Sequence, residues 1–454
     1  MKRLLVLTFL LTGFVTFADR QPNVIIILAD DLGYGDLSCY GHPTIRTPNL
    51  DRMAVEGMRF TDFYVAATVC TPSRAALITG RLPIRSGMAG GPQKRVIMRD
   101  SKRGLPDTEI TIAQALKTEG YATQCIGKWH LGHAPEYLPC HRGFDHWFGL
   151  RYSNDMEPNE DIPKNATARL DQKQEWWNPT LFRDDNIIEQ PTQLNQLTRR
   201  YTEEAIKFIK GSKKKPFFLY FAHTYPHVPL FASDRFKGKS ARGLYGDAVE
   251  ELDWSVGQIL ETLRKEKLDE NTFVFFTSDN GPWLIKGLAG GSAGPLRDGK
   301  GSSYEGGMRE PGIAWWPNRI RPKLVTHELA SSLDLFPTIM KITGTPMPTD
   351  RPYDGVDMSP ILFDNGKSQR NVMFYYNGNE LYAARKGPFK AHFITWPGYA
   401  KEKPEKHDPP VLYNVDQDPG EKFDVAALHP DVIADIQREV EKHRAGVVPG
   451  TPQY

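Results

Sequence analysis

The chain has 454 residues, with 57 Lys and Arg set against 55 Asp and Glu for a formal net charge of +2. So even a balance leaves no overall field to recruit nucleic acid or an acidic membrane surface. Four cysteines are few for a protein that relies on disulfides, and the length is ample for a large core without them.

Residues 1–18 begin with Lys2 and Arg3, continue as an apolar run from Leu4 to Phe17, and place Thr16 and Ala18 at small-residue cleavage positions. This is the pattern of a secretory signal peptide, too short to span a membrane. The mature protein is therefore expected to be soluble and exported: secreted or periplasmic, or lysosomal in a eukaryote. No other apolar stretch is long enough to cross a bilayer.

Val24 to Leu28 is a continuous apolar run, as expected of a strand covered on both faces in a parallel α/β sheet, and it ends at Asp30-Asp31. Three further runs behave alike. Tyr121 to Ile126 ends at Lys128 and His130, Phe217 to Ala222 at His223 and His227, and Phe273 to Thr277 at Asp279-Asn280. Helical periodicity lies between them at 111–119, 201–210 and 247–264. Sites in open α/β sheets form beyond the carboxyl ends of strands, so the four polar clusters can share one cleft. Asp30, Asp31, Asp279 and Asn280 offer only oxygen ligands, which suits Ca²⁺ better than Mg²⁺; taken singly, each motif also fits a turn or a helix cap.

Ala66 to Arg81 predicts a helix capped by Thr71, with Pro72 at the first position and Gly80 as the left-handed stop. Cys70 then lies just before a helix N-terminus, where free N–H groups, the dipole and Arg74 favour an anion; alone, it reads as a buried structural cysteine. Lys94, Arg95, Arg99, Lys102 and Arg103 read as a solvated loop. Lys128 and His130, two residues apart, can point the same way from an extended segment, and a buried Lys128 needs an anion beside it. The Gly-rich stretch 287–307 is a near miss to a P-loop, but Gly follows Lys300 and no apolar strand leads into it. It reads instead as a mobile loop delivering Lys300 to an anion.

Composition shifts near Gly344 to a Pro-rich boundary. Beyond it, 372–376, 381–385 and 389–396 read as short strands, joined by Asn377-Gly378 and Lys386-Gly387 turns. An amphipathic helix over 431–443 places Val432, Ile433, Ile436 and Val440 on one face. This small antiparallel sheet is expected to pack on the main domain and rim the cleft. His407, before Asp408-Pro-Pro, and Trp283, beside the metal motif, are read as surface or packing residues, with substrate contact as the alternative.

Cys70-x-Pro72-Ser-Arg74 followed by Leu77 to Arg81 resembles the signature of the type I, formylglycine-dependent sulfatases. Asp30-Asp31-Leu-Gly-Tyr-Gly-Asp36, Gly-Lys128-Trp-His130, Pro226-His227-Val-Pro, Ser278-Asp279-Asn280-Gly and Lys300-Gly-Ser-Ser-Tyr-Glu-Gly-Gly-Met-Arg-Glu-Pro extend it over nearly the whole mature chain, in the branch of arylsulfatase A and N-acetylgalactosamine-6-sulfatase. The resemblance implies an alkaline-phosphatase-like α/β catalytic domain over 19–345, with a central, mostly parallel sheet flanked by helices. A C-terminal subdomain over 346–454 adds the small antiparallel sheet and terminal helix.

The same resemblance implies that a formylglycine-generating or sulfatase-maturating enzyme oxidises Cys70 to formylglycine, whose hydrate is the nucleophile. Asp30, Asp31, Asp279, Asn280 and the modified Cys70 would hold Ca²⁺, and Arg74 would steady the hydrate. Lys128, Lys300 and Ser153 would contact the sulfate, His227 would protonate the leaving oxygen, and His130 would take a proton from the hydrate. Asn154 stands where the family has His, which bears on sugar contacts alone. The implied substrate is a sulfated sugar, galactose or N-acetylgalactosamine sulfate most of all. A phosphate or phosphonate monoester hydrolase, or an inactive glycan-binding homologue, is the alternative. With Cys70 modified, Cys39, Cys125 and Cys140 remain, an odd number that leaves at least one free thiol, Cys125 foremost.

Overall fold

The computed structural model describes residues 21–91 and 94–454; the leader at 1–18 lies outside the described residues. In chain order the large sheet takes β1 (Asn23–Ala29), β2 (Met58–Tyr64), β3 (Ala122–Lys128), β4 (His146–Leu150), β5 (Leu181–Arg183), β6 (Asn186–Glu189), β7 (Phe217–Ala222), β8 (Thr272–Ser278), β9 (Arg309–Trp315), β10 (Leu324–Thr326) and β11 (Ala330–Ser331). Their spatial order is β10-β2-β9-β8-β1-β7-β3-β4-β5-β6, with β11 beside β2. The centre, β8-β1-β7-β3-β4, is parallel, while β9, β5 and β6 pair antiparallel, so the sheet is mixed.

Because successive side chains leave a strand on opposite faces, an all-apolar strand feeds two cores at once. Ile25 and Ile27 of β1 join the face covered by the helices Leu197–Gly211 and Leu244–Lys265. Val24, Ile26 and Leu28 join the face covered by the helices Ile112–Thr118 and Leu335–Thr343. Thr111 caps the first of these in a reciprocal pair with Gln114, each side chain taking the other's backbone N–H at 3.0 Å. At the carboxyl ends of β7, β3 and β4 the backbones press together. A Cβ at Gly127, where φ is +104°, would meet the Ala222 carbonyl oxygen at 1.7 Å, and one at Gly149 would meet the Gly127 oxygen at 1.8 Å. Cys39, Cys70, Cys125 and Cys140 are free thiols, with Cys125 fully buried in β3.

The smaller sheet runs β12 (Val372–Asn377), β13 (Glu380–Lys386), β14 (Phe389–Thr395) and β15 (Glu405–Asn414), antiparallel throughout. Gly378 and Gly387 take the left-handed turn positions, at φ 61° and 57°. β15 escapes sequence reading because it starts with charged residues and carries Pro409 and Pro410, which an edge strand tolerates. The helix Pro430–Gly446 lays Ile433, Ile436 and Val440 on this sheet. Beneath it, fully buried Lys390 binds Glu305 at 2.9 Å and Glu421 at 3.2 Å, while His392 holds Glu421 at 2.6 Å.

His443 of the terminal helix stacks on Phe374, ring centroids 3.7 Å apart, and meets the Tyr376 hydroxyl at 3.0 Å. Burial lowers its pKa to about 4. The folded state thus prefers the neutral ring, and the stability this adds is complete above about pH 6.5 and lost as pH falls toward 4. The expected result is that Tm falls more steeply from pH 7 to pH 4 in the wild type than in His443→Phe, which keeps the stack and cannot titrate. Parallel curves would show that His443 does not couple the helix to pH.

Candidate active site

The helix that follows β2 spans Cys70–Thr79 and is buried along its whole length. It starts earlier than the sequence predicts, with extended Val69 before it, so Thr71 is not its cap. The Thr71 hydroxyl donates instead to the His130 carbonyl and accepts the Ile97 N–H, both at 3.1 Å. Pro72 still falls within the first turn, where a missing N–H costs nothing. Gly80 closes the helix at φ 67°, its N–H on the Ala76 carbonyl.

Around Cys70 the strand ends converge. Arg74, one turn in, donates from Nε to Asp279 at 2.8 Å and from Nη1 to the Lys128 carbonyl at 2.7 Å, and its Nη2 lies 3.6 Å from Asp30. Lys128 Nζ sits 2.7 Å from Asp30 Oδ2, and Lys300 Nζ sits 2.7 and 2.8 Å from the two Asp31 oxygens. Asn280 Nδ2 donates to Asp31 at 2.7 Å, and the Asp31 N–H donates to Asp279 at 3.2 Å. Three carboxylates thus face three cations, all buried. Burial works against the Lys300 ammonium, but Asp31 more than offsets it and holds its pKa well above the usual lysine range. Burial pushes the Asp31 carboxyl up to about 6, with Lys300 pulling it back, so both are ionised at pH 7.

The donor set fits a hard cation. Asp30 Oδ1 and Asn280 Oδ1 are enclosed without hydrogen-bond partners, as oxygens reserved for an ion would be. Asp30, Asp31 and His227 bring ligand atoms within 4.8 Å of one another. Asp279 is more committed, one oxygen to Arg74 and the other to the Asp31 N–H, though a carboxylate oxygen keeps a second lone pair. Burial raises the Cys70 pKa against the pull of Lys128 and Lys300, so this residue is a neutral thiol and a poor nucleophile as it stands.

Two histidines complete the centre. His130 Nε2 lies 2.9 Å from the Ile97 carbonyl, which can only accept, so Nε2 carries the proton and enclosed, unpartnered Nδ1 keeps its lone pair. The same argument protonates His227 Nδ1, 2.5 Å from the Val228 carbonyl, and leaves Nε2 facing Asp31 at 3.6 Å. Burial first, then the lysines, hold both rings neutral. The Ser153 hydroxyl is enclosed and unpartnered. His223 packs instead against Phe221, ring centroids 4.2 Å apart with the planes tilted by 48°.

Two neighbours take the role that the sequence favoured less. Trp283, read as surface or packing first and substrate contact second, has Lys300 Nζ 4.3 Å from its ring centroid, Lys286 Nζ at 4.1 Å and the His227 ring at 5.6 Å. Arg95 is not a solvated charge: it stacks over Trp396 at 4.2 Å and Tyr399 at 4.9 Å, which ties the loop after the Cys70 helix to the small sheet. His407 bonds the Thr395 hydroxyl at 2.7 Å.

A mixed α/β sheet whose strand tips gather buried lysines and aspartates about a Cys-x-Pro-Ser-Arg helix defines a class, and the Sulfatase family model matches residues 22–345. The model for the C-terminal region of aryl-sulfatase matches 368–454. The chain belongs to the sulfatase family and is a sulfuric ester hydrolase. It is 42% identical over 474 residues to N-acetylgalactosamine-6-sulfatase of Sus scrofa, covering 97% of this chain and 89% of that one. It is 42% identical over 446 residues to arylsulfatase A of Homo sapiens, covering 92% and 87%. The crystal structure of Ps i-CgsB in complex with k-i-k-neocarrahexaose superposes with a TM-score of 0.80 at 32% identity, covering 96% of this chain and 95% of that one. Among the described residues no helix is long and apolar enough to cross a membrane.

Proposed function

We propose that this chain is an exported hydrolase that removes sulfate from a sulfated sugar, galactose or N-acetylgalactosamine sulfate, using a formylglycine made from Cys70 and a bound Ca²⁺. The observation that carries the reading is the balanced set of Lys128, Lys300 and Arg74 against Asp30, Asp31 and Asp279 at the buried start of the Cys70 helix. The sugar preference is supported by the relatives, one named for N-acetylgalactosamine-6-sulfate and one structure holding a neocarrahexaose. Residues 19–345 form the catalytic unit, and 346–454 the subdomain that rims it.

Formylglycine at residue 70 would supply a hydrated aldehyde as nucleophile, and Ca²⁺ held by Asp30, Asp31, Asp279, Asn280 and residue 70 would offset charge beside it. Lys128 and Lys300 bind the sulfate oxygens, each supplying a full charge from a buried side chain. Ser153 adds a hydroxyl donor. Arg74, pinned by Asp279 and the Lys128 carbonyl, keeps residue 70 in register with them. The incoming sulfate offsets the field of Lys300 and Lys128, so that His227 takes up a second proton at Nε2, beside Asp31, and delivers it from there to the departing sugar oxygen. His130, with Nε2 committed to Ile97, takes up a proton at Nδ1.

The test is sulfate release by protein made with a maturating enzyme, on a panel of defined sulfated galactose and N-acetylgalactosamine sugars and the matching phosphates. Sulfate esters should turn over faster; preference for a phosphate or phosphonate ester would replace this reading with the related hydrolase. Calcium chelation should remove activity by at least about 100-fold, with Ca²⁺ restoring it better than Mg²⁺, as a mostly protein oxygen cage favours the larger ion.

A further inference from the structure

The turn after β4 holds polar groups that the mechanism above does not use. It follows the residue that pairs with Lys128, since Lys128 and Leu150 are register partners at the ends of β3 and β4. The His130 N–H bonds the Arg151 carbonyl at 2.9 Å, and Asn154 Nδ2 donates to the Pro229 carbonyl at 3.1 Å, two residues past His227. Ser153, Asn154 and Asp155 are thus tied to both histidine segments. Beyond the Ser153 hydroxyl, Asn154 Oδ1 and Asp155 Oδ1 are also enclosed without a partner. Against Lys300, the Trp283 indole N–H is enclosed and unpartnered as well. Lys286 lies 4.1 Å from the Trp283 ring centroid and bonds Thr167 at 2.7 Å, and its charge, like those of Lys300 and Lys128, reaches Asp155.

A carboxylate oxygen left without a donor beside an anion-binding clamp is unfavourable twice over, through lost hydrogen bonds and through repulsion of the incoming charge. Hydroxyl groups carried by the substrate remove both penalties. A sugar brings them on the carbons flanking its sulfate; an aryl sulfate brings none.

Resting on the proposed sulfatase function, we propose that Asp155, Asn154 and the Trp283 N–H form a hydroxyl-reading subsite beside the sulfate clamp, which selects sulfated sugars over aryl sulfates. Asp155 and Asn154 accept from ring hydroxyls, and Trp283 donates to one while its face lies against the sugar. These residues are specificity-determining and leave the chemistry at residue 70 to the clamp.

The experiment compares kcat/KM for a sulfated monosaccharide and for 4-nitrophenyl sulfate in the matured wild type, Asp155→Asn, Asp155→Ala and Trp283→Phe. Trp283→Phe keeps an aromatic ring for the two lysines and removes only the indole N–H. Each variant should lower the sugar-to-aryl ratio by roughly 10- to 100-fold, the value of one hydrogen bond to a charged or buried group. If near-isosteric Asp155→Asn and Trp283→Phe remain folded and active on both esters at the wild-type ratio, the subsite is refuted while the function stands. A wild type that hydrolyses neither ester overturns the function, and the subsite with it.

Discussion

Changing Cys70 to alanine is expected to abolish turnover, lowering kcat on the order of 10⁶-fold as loss of a nucleophile does elsewhere. The clamp should survive, because the contacts of Arg74, Lys128 and Lys300 run to Asp30, Asp31, Asp279 and a backbone carbonyl, none of them to the Cys70 sulfur. Binding of inorganic sulfate should therefore stay within a few-fold of the wild type, separating lost chemistry from lost structure. Protein made without a maturating enzyme should be as inactive as the alanine variant. Its thiol is buried and held neutral, and a sulfur ester there would lack the second hydroxyl that lets a hydrated aldehyde expel sulfate. The mass of the Cys70 peptide, read beside activity, checks this. Full turnover by a chain that keeps the cysteine sulfur would refute the scheme.

The largest stability loss is expected at Lys390, far from the reaction in sequence and role. Its ammonium lies fully buried between Glu305 and Glu421, which also takes the Glu305 N–H at 2.7 Å and His392 at 2.6 Å. Tyr64 of β2 donates to the second Glu305 oxygen at 2.6 Å, so this one network links both sheets. Lys390→Ala leaves two buried carboxylates without their shared cation, and breaking a buried ion network in that way costs about 3–5 kcal/mol. Denaturant unfolding should report that loss, and adding Glu421→Gln to Lys390→Met should recover part of it by deleting one stranded charge. A change below about 1 kcal/mol would mean that the small sheet is held by its apolar contacts instead. Because Glu305 lies five residues past Lys300, the same variant should also raise KM for the sulfate ester.

How much was legible from residues alone depended on burial. β1, β7 and β8 announced themselves because both faces are covered, which demands an unbroken apolar run. β2 carries Arg59 and Asp62, and β9 opens with Arg309, Glu310 and Pro311, so neither has that signature although both are strands of the large sheet. At the site, Asp30, Asp31, Lys128 and Asp279 stood out as charges placed at the ends of apolar runs, where no packing role suits them. Lys300 stood out by motif. Trp283 and Arg95 stood out less, since a lone aromatic or basic residue has an ordinary alternative and acquires its place only when loops fold back. Thr71 shows the opposite error: a residue type suited to capping was given that task, whereas tertiary contacts to His130 and Ile97 claimed its hydroxyl.

The crowding of backbone at Gly127 and Gly149 has an evolutionary consequence. Lys128 is set by main chain pressed against main chain, so any side chain at 127 would strike the Ala222 carbonyl and displace the ammonium with it. Asn154, Asp155 and Trp283 are carried by connections between strands rather than by the strands themselves, so their side chains do not set the spacing of the sheet. The floor that carries Lys128 is therefore fixed by backbone packing, while the walls proposed to read the sugar hang on loops, a division of labour that lets side chains there change without moving the ammonium.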